Sequence, residues 1–558
     1  MFRKNRKHLQ ENLFGFSNPL PEKMQEELLE SEFHKFYEII FLNIKEEDFK
    51  CLYSEIGSRP NSPVNVLVSS IILMHRYRWT YEQLFQQIKF NLLVKTALGL
   101  KTIEEIPFNE ATMFNFLSRM NNHFVTTGEN LLEKVFDTLT EGQIKELRIK
   151  TDIQRTDSFQ AASNIRQYSR LQLMIEMLIR IYRVISPEDK LKYKELFEKY
   201  VIKSSGQFIY KLPAEDITTE LQKIGEVFNK IQTEIGINPV YKEINIFKTF
   251  ERVYIEHFSV VNEKIVINLP ATVSSSSLQS PDDIEATYRT KSGKATRGQS
   301  VNIVETANPD NEINLLTDIA INANNIDDSV VLNERIDTIK TKTPDLKELH
   351  FDGAYSSKAN DEKCEEDNLD ILQVQTGIRG IASTTRDIEI TEIVSPVLNS
   401  ESKKSSAENQ RYKVSCQYQE VEATKTRKRY KAMFDETICS KCPILEQCKL
   451  TQTSRSAEKS SAGRVYYFTD EEYIKKKRFK NIEKLPLERR SLRNNVEASV
   501  SEFRRKMQNR KLKVRGAFRA SVFAFSMGVS INFGRIYRYI NKKLTQALEN
   551  IEPKLANA

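Results

Sequence analysis

The chain has no run of about 18 apolar residues, so no segment qualifies as a membrane-spanning helix. Its N-terminus, MFRKNRKHLQENLFGF, is basic but lacks the apolar core of a secretory signal, and a cytoplasmic location is expected. Six cysteines in 558 residues are too few for a disulfide framework. Cys51 and Cys364 stand alone, whereas Cys416, Cys439, Cys442 and Cys448 cluster. The six histidines show no metal-ligand spacing, and neither a Walker loop nor a dinucleotide fingerprint is present. These absences exclude a disulfide-stapled secreted scaffold and leave no motif for ATP or NAD.

What is present is a foldable mixture of 39% hydrophobic and 29% charged residues. The length suggests about three or four domains. A net charge of +8 decides little by itself, but its distribution says more. From Lys475 to Arg515 cations far outnumber acids, a surface suited to a polyphosphate partner. An ordinary solvated helix face fits the same run.

Periodicity divides the chain. Residues 1–145 read as a helical domain, compatible either with a helix-turn-helix that binds DNA ends or with a purely structural bundle. Residues 146–164 hold a strand, because LRIKTDIQRTD alternates and places Asp157 at the end of its buried face. Residues 165–280 return to helical spacing as an insertion. In 281–376, GQSVNIVETA and INLLTDIAI read as strands and SVVLNERIDTIKT as a helix. LKELHFDGAY then reads as a strand, SSKANDEKCEED as a helix and LDILQVQT as a strand. That order is the skeleton of an RNase H-like mixed α/β sheet interrupted by insertions and preceded by an all-α domain. Residues 377–480 form a second insertion with the cysteine cluster and two Ser/Lys-rich stretches. Residues 481–545 are C-terminal helices of the core, the first of them basic and continuous after Pro486, and 546–558 a tail.

Asp157 and Asp352 fall at strand ends, where carboxylates can converge on one sheet edge and hold Mg²⁺ with hard oxygen ligands. Either aspartate alone is equally a turn former. Asp152 competes with Asp157, but alternation puts it on the polar side. In RRSLRNNVEASVSEFR, Arg490, Arg493, Glu497 and Arg504 share a helix sector of roughly 60°. Glu488 and Glu502 point away from it. A salt-bridge ladder explains the charges but not why three cations and one acid share one stripe. Arginines there are placed to grip DNA phosphates while the glutamate reaches a metal. Cys416, Cys439, Cys442 and Cys448 offer four thiolates for a structural Zn²⁺; unliganded thiols or a redox pair are the other readings. His350, two residues before Asp352, is a candidate on the same side of its strand, and Trp79 reads as a packing anchor.

With these motifs in this order, the chain resembles a DDE-type transposase of a bacterial insertion sequence. The resemblance covers nearly the full length: a helical N-terminal domain, a TDS element at Asp157, a strand ending in DG-Y at Asp352, and a Y-x2-R-x3-E-x6-K-type signature. It assigns Asp157, Asp352 and Glu497 as the catalytic, metal-binding acids and Arg493 as the signature arginine. Arg490 stands where the signature has tyrosine and Arg504 where it has lysine. DATYRTKSGKATRGQSVNIVE, with Glu285 in place of the usual first acid, and INFGRI also resemble the group. The implied activity is two-metal DNA cleavage at transposon ends and strand transfer, with Mg²⁺ or Mn²⁺, by a homo-oligomer on double-stranded DNA in the bacterial nucleoid. Two other readings remain at this point. One is a transposase-derived DNA-binding protein without cleavage activity; the other is a helical scaffold whose basic helix binds RNA or an acidic protein.

Overall fold

The computed structural model describes residues 1–555 apart from 11, 13, 14, 56–59, 292, 377, 379–387, 394–410, 444, 446, 447, 449, 453–463 and 508. The Ser/Lys-rich stretches at 398–410 and 453–463 lie outside the described residues. No helix among those described is long and apolar enough to cross a membrane.

The N-terminal region is helical, as its periodicity predicts. Its central helix α1 (Val64–Tyr77) is buried from Val64 to Met74 and ends on Arg78 in the left-handed conformation. Trp79 stacks on Tyr77 with ring centroids 4.9 Å apart, a packing role. Helix α2 (Leu131–Leu147) closes the region, and here the sequence reading needs correction. Leu147 and Arg148 were expected in a strand, yet the helix continues through Leu147 and stops at Arg148, whose φ of 53° is left-handed. The alternation of LRIK is a helix end followed by a short extended link.

Strand β1 (Ile153–Ala162) therefore starts later and runs five residues past Asp157. It is buried on both faces, with Gln154, Arg155 and Thr156 all inside, because it is the central strand of the sheet. A helical insertion follows with its own apolar cluster around Met174, Leu178, Phe228 and Phe250. It ends in the hairpin β2 (Phe258–Val261) and β3 (Lys264–Ile267), which helical periodicity did not anticipate.

The core resumes with β4 (Thr287–Lys291), β5 (Lys294–Thr306), β6 (Leu316–Ala323), helix α3 (Asp328–Lys342), β7 (Glu348–Phe351) and β8 (Leu372–Gln375). The sheet order is β4–β5–β1–β7–β8, with β6 on the remaining length of β5. Strand β1 is antiparallel to β5 and parallel to β7, and β7 is parallel to β8. This is an RNase H-like sheet. Gly298, where β5 passes from β4 to β6, could bear no side chain, since a Cβ would lie 2.3 Å from the Ala161 carbonyl oxygen.

Beyond the core sheet lies a second antiparallel sheet that sequence patterning did not anticipate. It is formed by β9 (Glu389–Ile393), β10 (Arg411–Cys416), β11 (Gln419–Lys425), β12 (Tyr430–Phe434), β13 (Thr451–Gln452) and β14 (Arg464–Phe468). Helix α4 (Asp470–Glu483) leads back to the core, where Arg478 donates to Asp361 and to Gln375 Oε1. The expected continuous helix after Pro486 is instead a 3₁₀ stretch, Leu487–Asn495, followed by α5 (Val496–Arg505).

The long helix α6 (Ala517–Leu555) binds these parts into one interior. Its apolar residues share a cluster with Phe36, Leu67 and Phe136 of the N-terminal region and with Phe159 and Ile303 of the sheet. Asn532 is buried and bonds both backbone groups of Leu316, at 2.8 and 2.9 Å. A Cβ on Gly528 would meet Ile319 at 2.4 Å, so helix and sheet touch closely there.

Charge also ties α2 to the core. Glu133 and Asp137 of α2 and Asp318 of β6 surround Arg335 and Lys342 of α3. Burial raises the Asp137 carboxyl to about 6, with Lys342 opposing. A carboxyl raised in the folded state holds its proton there at a pH where the unfolded chain has lost it, so its contribution to stability is full below 3.8 and is lost as pH rises to about 6. Asp137→Asn is expected to stabilise the protein at pH 7–8 by roughly 1–3 kcal/mol, and the gain should shrink below pH 6 and vanish only at about pH 4. Thermal unfolding at the two pH values checks this.

Candidate active site

Asp157 projects from the middle of β1, where the parallel neighbour β7 ends. Its Oδ1 accepts from its neighbour's amide, Ser158 N, at 2.8 Å. Asp352 follows β7 directly and caps the 3₁₀ turn Gly353–Tyr355, its Oδ1 accepting from Ala354 N at 2.9 Å. In both cases one carboxylate oxygen is engaged by backbone and the other is turned to Arg493. Arg493 Nη2 lies 3.2 Å from Asp157 Oδ2 and 3.5 Å from Asp352 Oδ2, and its Nη1 lies 3.6 Å from Glu497 Oε1. One guanidinium thus gathers all three sequence-predicted acids.

The acids differ in setting. The Asp157 side chain is 13% exposed and that of Glu497 70%. Burial pushes the Asp157 carboxyl up, Arg493 and the Ser158 amide pull it down, and Asp352 adds repulsion. Among the described residues no three His, Cys, Asp or Glu side chains are placed close enough to hold a metal as they stand. The donor set nevertheless suits a hard divalent cation: three carboxylates already converge on a single positive group.

The other predicted residues divide. Arg504 lies within electrostatic reach of Asp157, Glu497 and Arg510. Arg490 does not join the stripe: its Nε donates to the Leu485 carbonyl at 2.9 Å and its Nη2 to that of Glu483. The 3₁₀ geometry before Asn495 breaks the 3.6-residue phase that placed it beside Arg493. Glu502 bonds Arg535 at 2.8 Å, away from the acids as expected. His350 is fully buried, with Nε2 2.6 Å from Glu348 Oε1, and takes no part in the site. Asp152 precedes β1 and accepts from Asn308 Nδ2 at 2.7 Å.

Several residues at the site were not singled out from sequence. Glu305 of β5 is fully buried and receives Arg155 Nε at 2.6 Å, Arg535 Nη1 at 2.8 Å and the Ser499 hydroxyl. Arg155 Nη1 also donates to the Leu492 carbonyl at 3.0 Å. One carboxylate therefore anchors the residue before Arg493 and the residue two beyond Glu497. Arg489 adds a tie to Glu348 on β7. Asp328, at the start of α3, is a buried acid raised by burial, held down by Ser158 and Lys291, and repelled by Asp352. An acid within GQSVNIVETA was the available signal for Glu305, but its partners are distant in sequence.

An RNase H-like sheet with three carboxylates at one edge, carried by β1, by the end of β7 and by a C-terminal helix, defines the DDE class of core. Two family models match the chain: "Transposase DDE domain" over residues 407–537 and "Transposase domain (DUF772)" over residues 22–119. The first runs from just before β10 to residue 537 within α6 and includes Glu497; the second lies within the N-terminal helices, ending before α2. Over those residues the chain is similar to transposases, and the two matches support a DDE-type transposase of an insertion sequence. The matched families indicate transposition as the function and DNA as the substrate. No curated protein and no solved structure matches it.

Proposed function

We propose that this transposase cleaves DNA at the ends of its element and joins the freed 3′-hydroxyl to target DNA, with Asp157, Asp352 and Glu497 as its catalytic acids. The observation that carries the reading is the convergence of these three carboxylates, from segments up to 340 residues apart, on the single guanidinium of Arg493. Two Mg²⁺ or Mn²⁺ ions, when bound by these acids, supply activation of the attacking oxygen and charge stabilisation of the leaving one. The backbone bonds to Asp157 and Asp352 keep their free oxygens aimed at a common point. Arg493, released from the acids, is positioned to grip a DNA phosphate bidentately, and Arg504 extends the cationic surface. Arg490, bound to backbone carbonyls, shapes the turn before α5 instead of contacting DNA.

A division of labour follows on this reading: residues 1–145 for DNA ends, 146–164, 281–376 and 481–545 for chemistry, and 165–280 and 377–480 as insertions. Joining two DNA ends in one reaction asks for a homo-oligomer on inverted repeats, and a cytoplasmic, nucleoid-associated location suits that substrate. Purified protein with Mg²⁺ and a duplex carrying the element's own ends is expected to yield nicks bearing 3′-hydroxyls. Specific binding with no nicking in either metal would leave a DNA-binding protein without cleavage activity. Arg493→Ala is expected to lower the salt dependence of binding, reducing the slope of log K against log salt by about one. A filter-binding series across salt concentrations reads the change.

A further inference from the structure

The second sheet has a small apolar interior, built around Tyr412, Val414, Tyr430, Phe434 and Phe468. Units with a core of this size commonly rely on a metal or a disulfide for stability. At one end of this sheet four thiols border a single cavity: Cys416 at the end of β10, Cys439 in the helical turn Glu436–Ser440, and Cys442 and Cys448 in the loop beyond. All are unpaired and partly exposed.

The local geometry brings them together for identifiable reasons. Cys442 N donates to the Cys439 carbonyl at 3.1 Å, a turn that folds the Cys-x2-Cys unit back on itself. Cys448 N donates to Leu445 O at 3.2 Å, returning the third thiol toward the same cavity. Gln419, paired with Cys416 across the β10–β11 hairpin, donates its Nε2 to Cys439 Sγ at 3.2 Å. Among the described residues no carboxylate or imidazole borders this cavity, and its metal-binding donors are the four soft sulfurs. As they stand, no three of these sulfurs are grouped tightly enough to hold an ion, so binding draws Cys439, Cys442 and Cys448 closer to Cys416.

We propose that Cys416, Cys439, Cys442 and Cys448 bind a structural Zn²⁺ that ties the Cys439–Cys442 turn and Cys448 to the β10–β11 hairpin. Four protein sulfurs leave no open position, so the ion has no part in DNA chemistry. The full-length protein, purified under reducing conditions, is expected to carry about one zinc per chain. Its X-ray absorption should show a sulfur shell near 2.3 Å, and Co²⁺ exchange should give intense thiolate-to-metal absorption. Cys442→Ser should lose the metal, while Cys51→Ser keeps it. Zinc-free protein whose six thiols all react with a thiol reagent would overturn the proposal, as would a disulfide among the four. Should Cys442→Ser fail to fold, the absorption measurement on the unaltered chain still decides: an oxygen or nitrogen shell overturns the assignment. None of these readouts depends on DNA cleavage, so they stand or fall apart from the assignment of the catalytic acids.

Discussion

Asp157→Asn is expected to reduce DNA nicking by about a thousandfold or more while leaving the fold and DNA affinity in place. The substitution keeps the shape of the side chain and its bond to Ser158 N but removes the charge that faces Arg493. Asp352→Asn and Glu497→Gln are expected to do the same, because each acid contacts the same guanidinium. A quantitative nicking assay on end-bearing duplex, with binding measured in parallel, separates lost chemistry from lost recognition. Normal cutting by any of the three would remove that residue from the assignment. The settings of the acids also rank their tolerance. Asp157 is enclosed, so even Asp157→Glu should fail for want of space, whereas the exposed Glu497 should tolerate Glu497→Asp with partial activity.

The largest loss of stability is expected at Glu305. It is fully buried with Arg155 and Arg535 against it, and Glu305→Ala leaves two guanidiniums without their shared counter-charge. Breaking such a buried pair from one side costs about 3–5 kcal/mol. Glu305→Gln keeps hydrogen-bonding atoms in place and should cost less. Because Arg155 also holds Leu492 and Ser499 also holds Glu305, the damage should reach the segment carrying Arg493 and Glu497. Thermal unfolding gives the stability change. Nicking measured well below the lowered melting temperature gives the positional change. A Glu305→Ala chain that melts and cuts like the parent would show that the network is incidental.

The order of core strands was legible because each strand after 298 is a short apolar run bounded by turn residues. The three acids were legible because each sits in a recognisable local phrase. The start of β1 was not, since LRIK alternates by chance across a helix end that only Arg148's left-handed backbone reveals. The stripe containing Arg490 failed for a related reason: an angular argument assumes one uniform α-helix, and Pro486 is followed by nine residues of 3₁₀ geometry. The second sheet escaped notice because strands such as β11 alternate charged and small residues, with only partial burial on one side. Glu305 was hidden more deeply. A strand reads by its apolar neighbours, and nothing local tells that a buried carboxylate will meet arginines 150 residues earlier and 230 residues later.

The position of α6 has a consequence for how the enzyme comes into being. The N-terminal helices cannot complete their interior until α6 has left the ribosome, because Phe36 packs on Phe533 and Asn130 bonds Ser521. A truncated translation product, or a fragment released by a protease, lacks the element that makes its first domain solid.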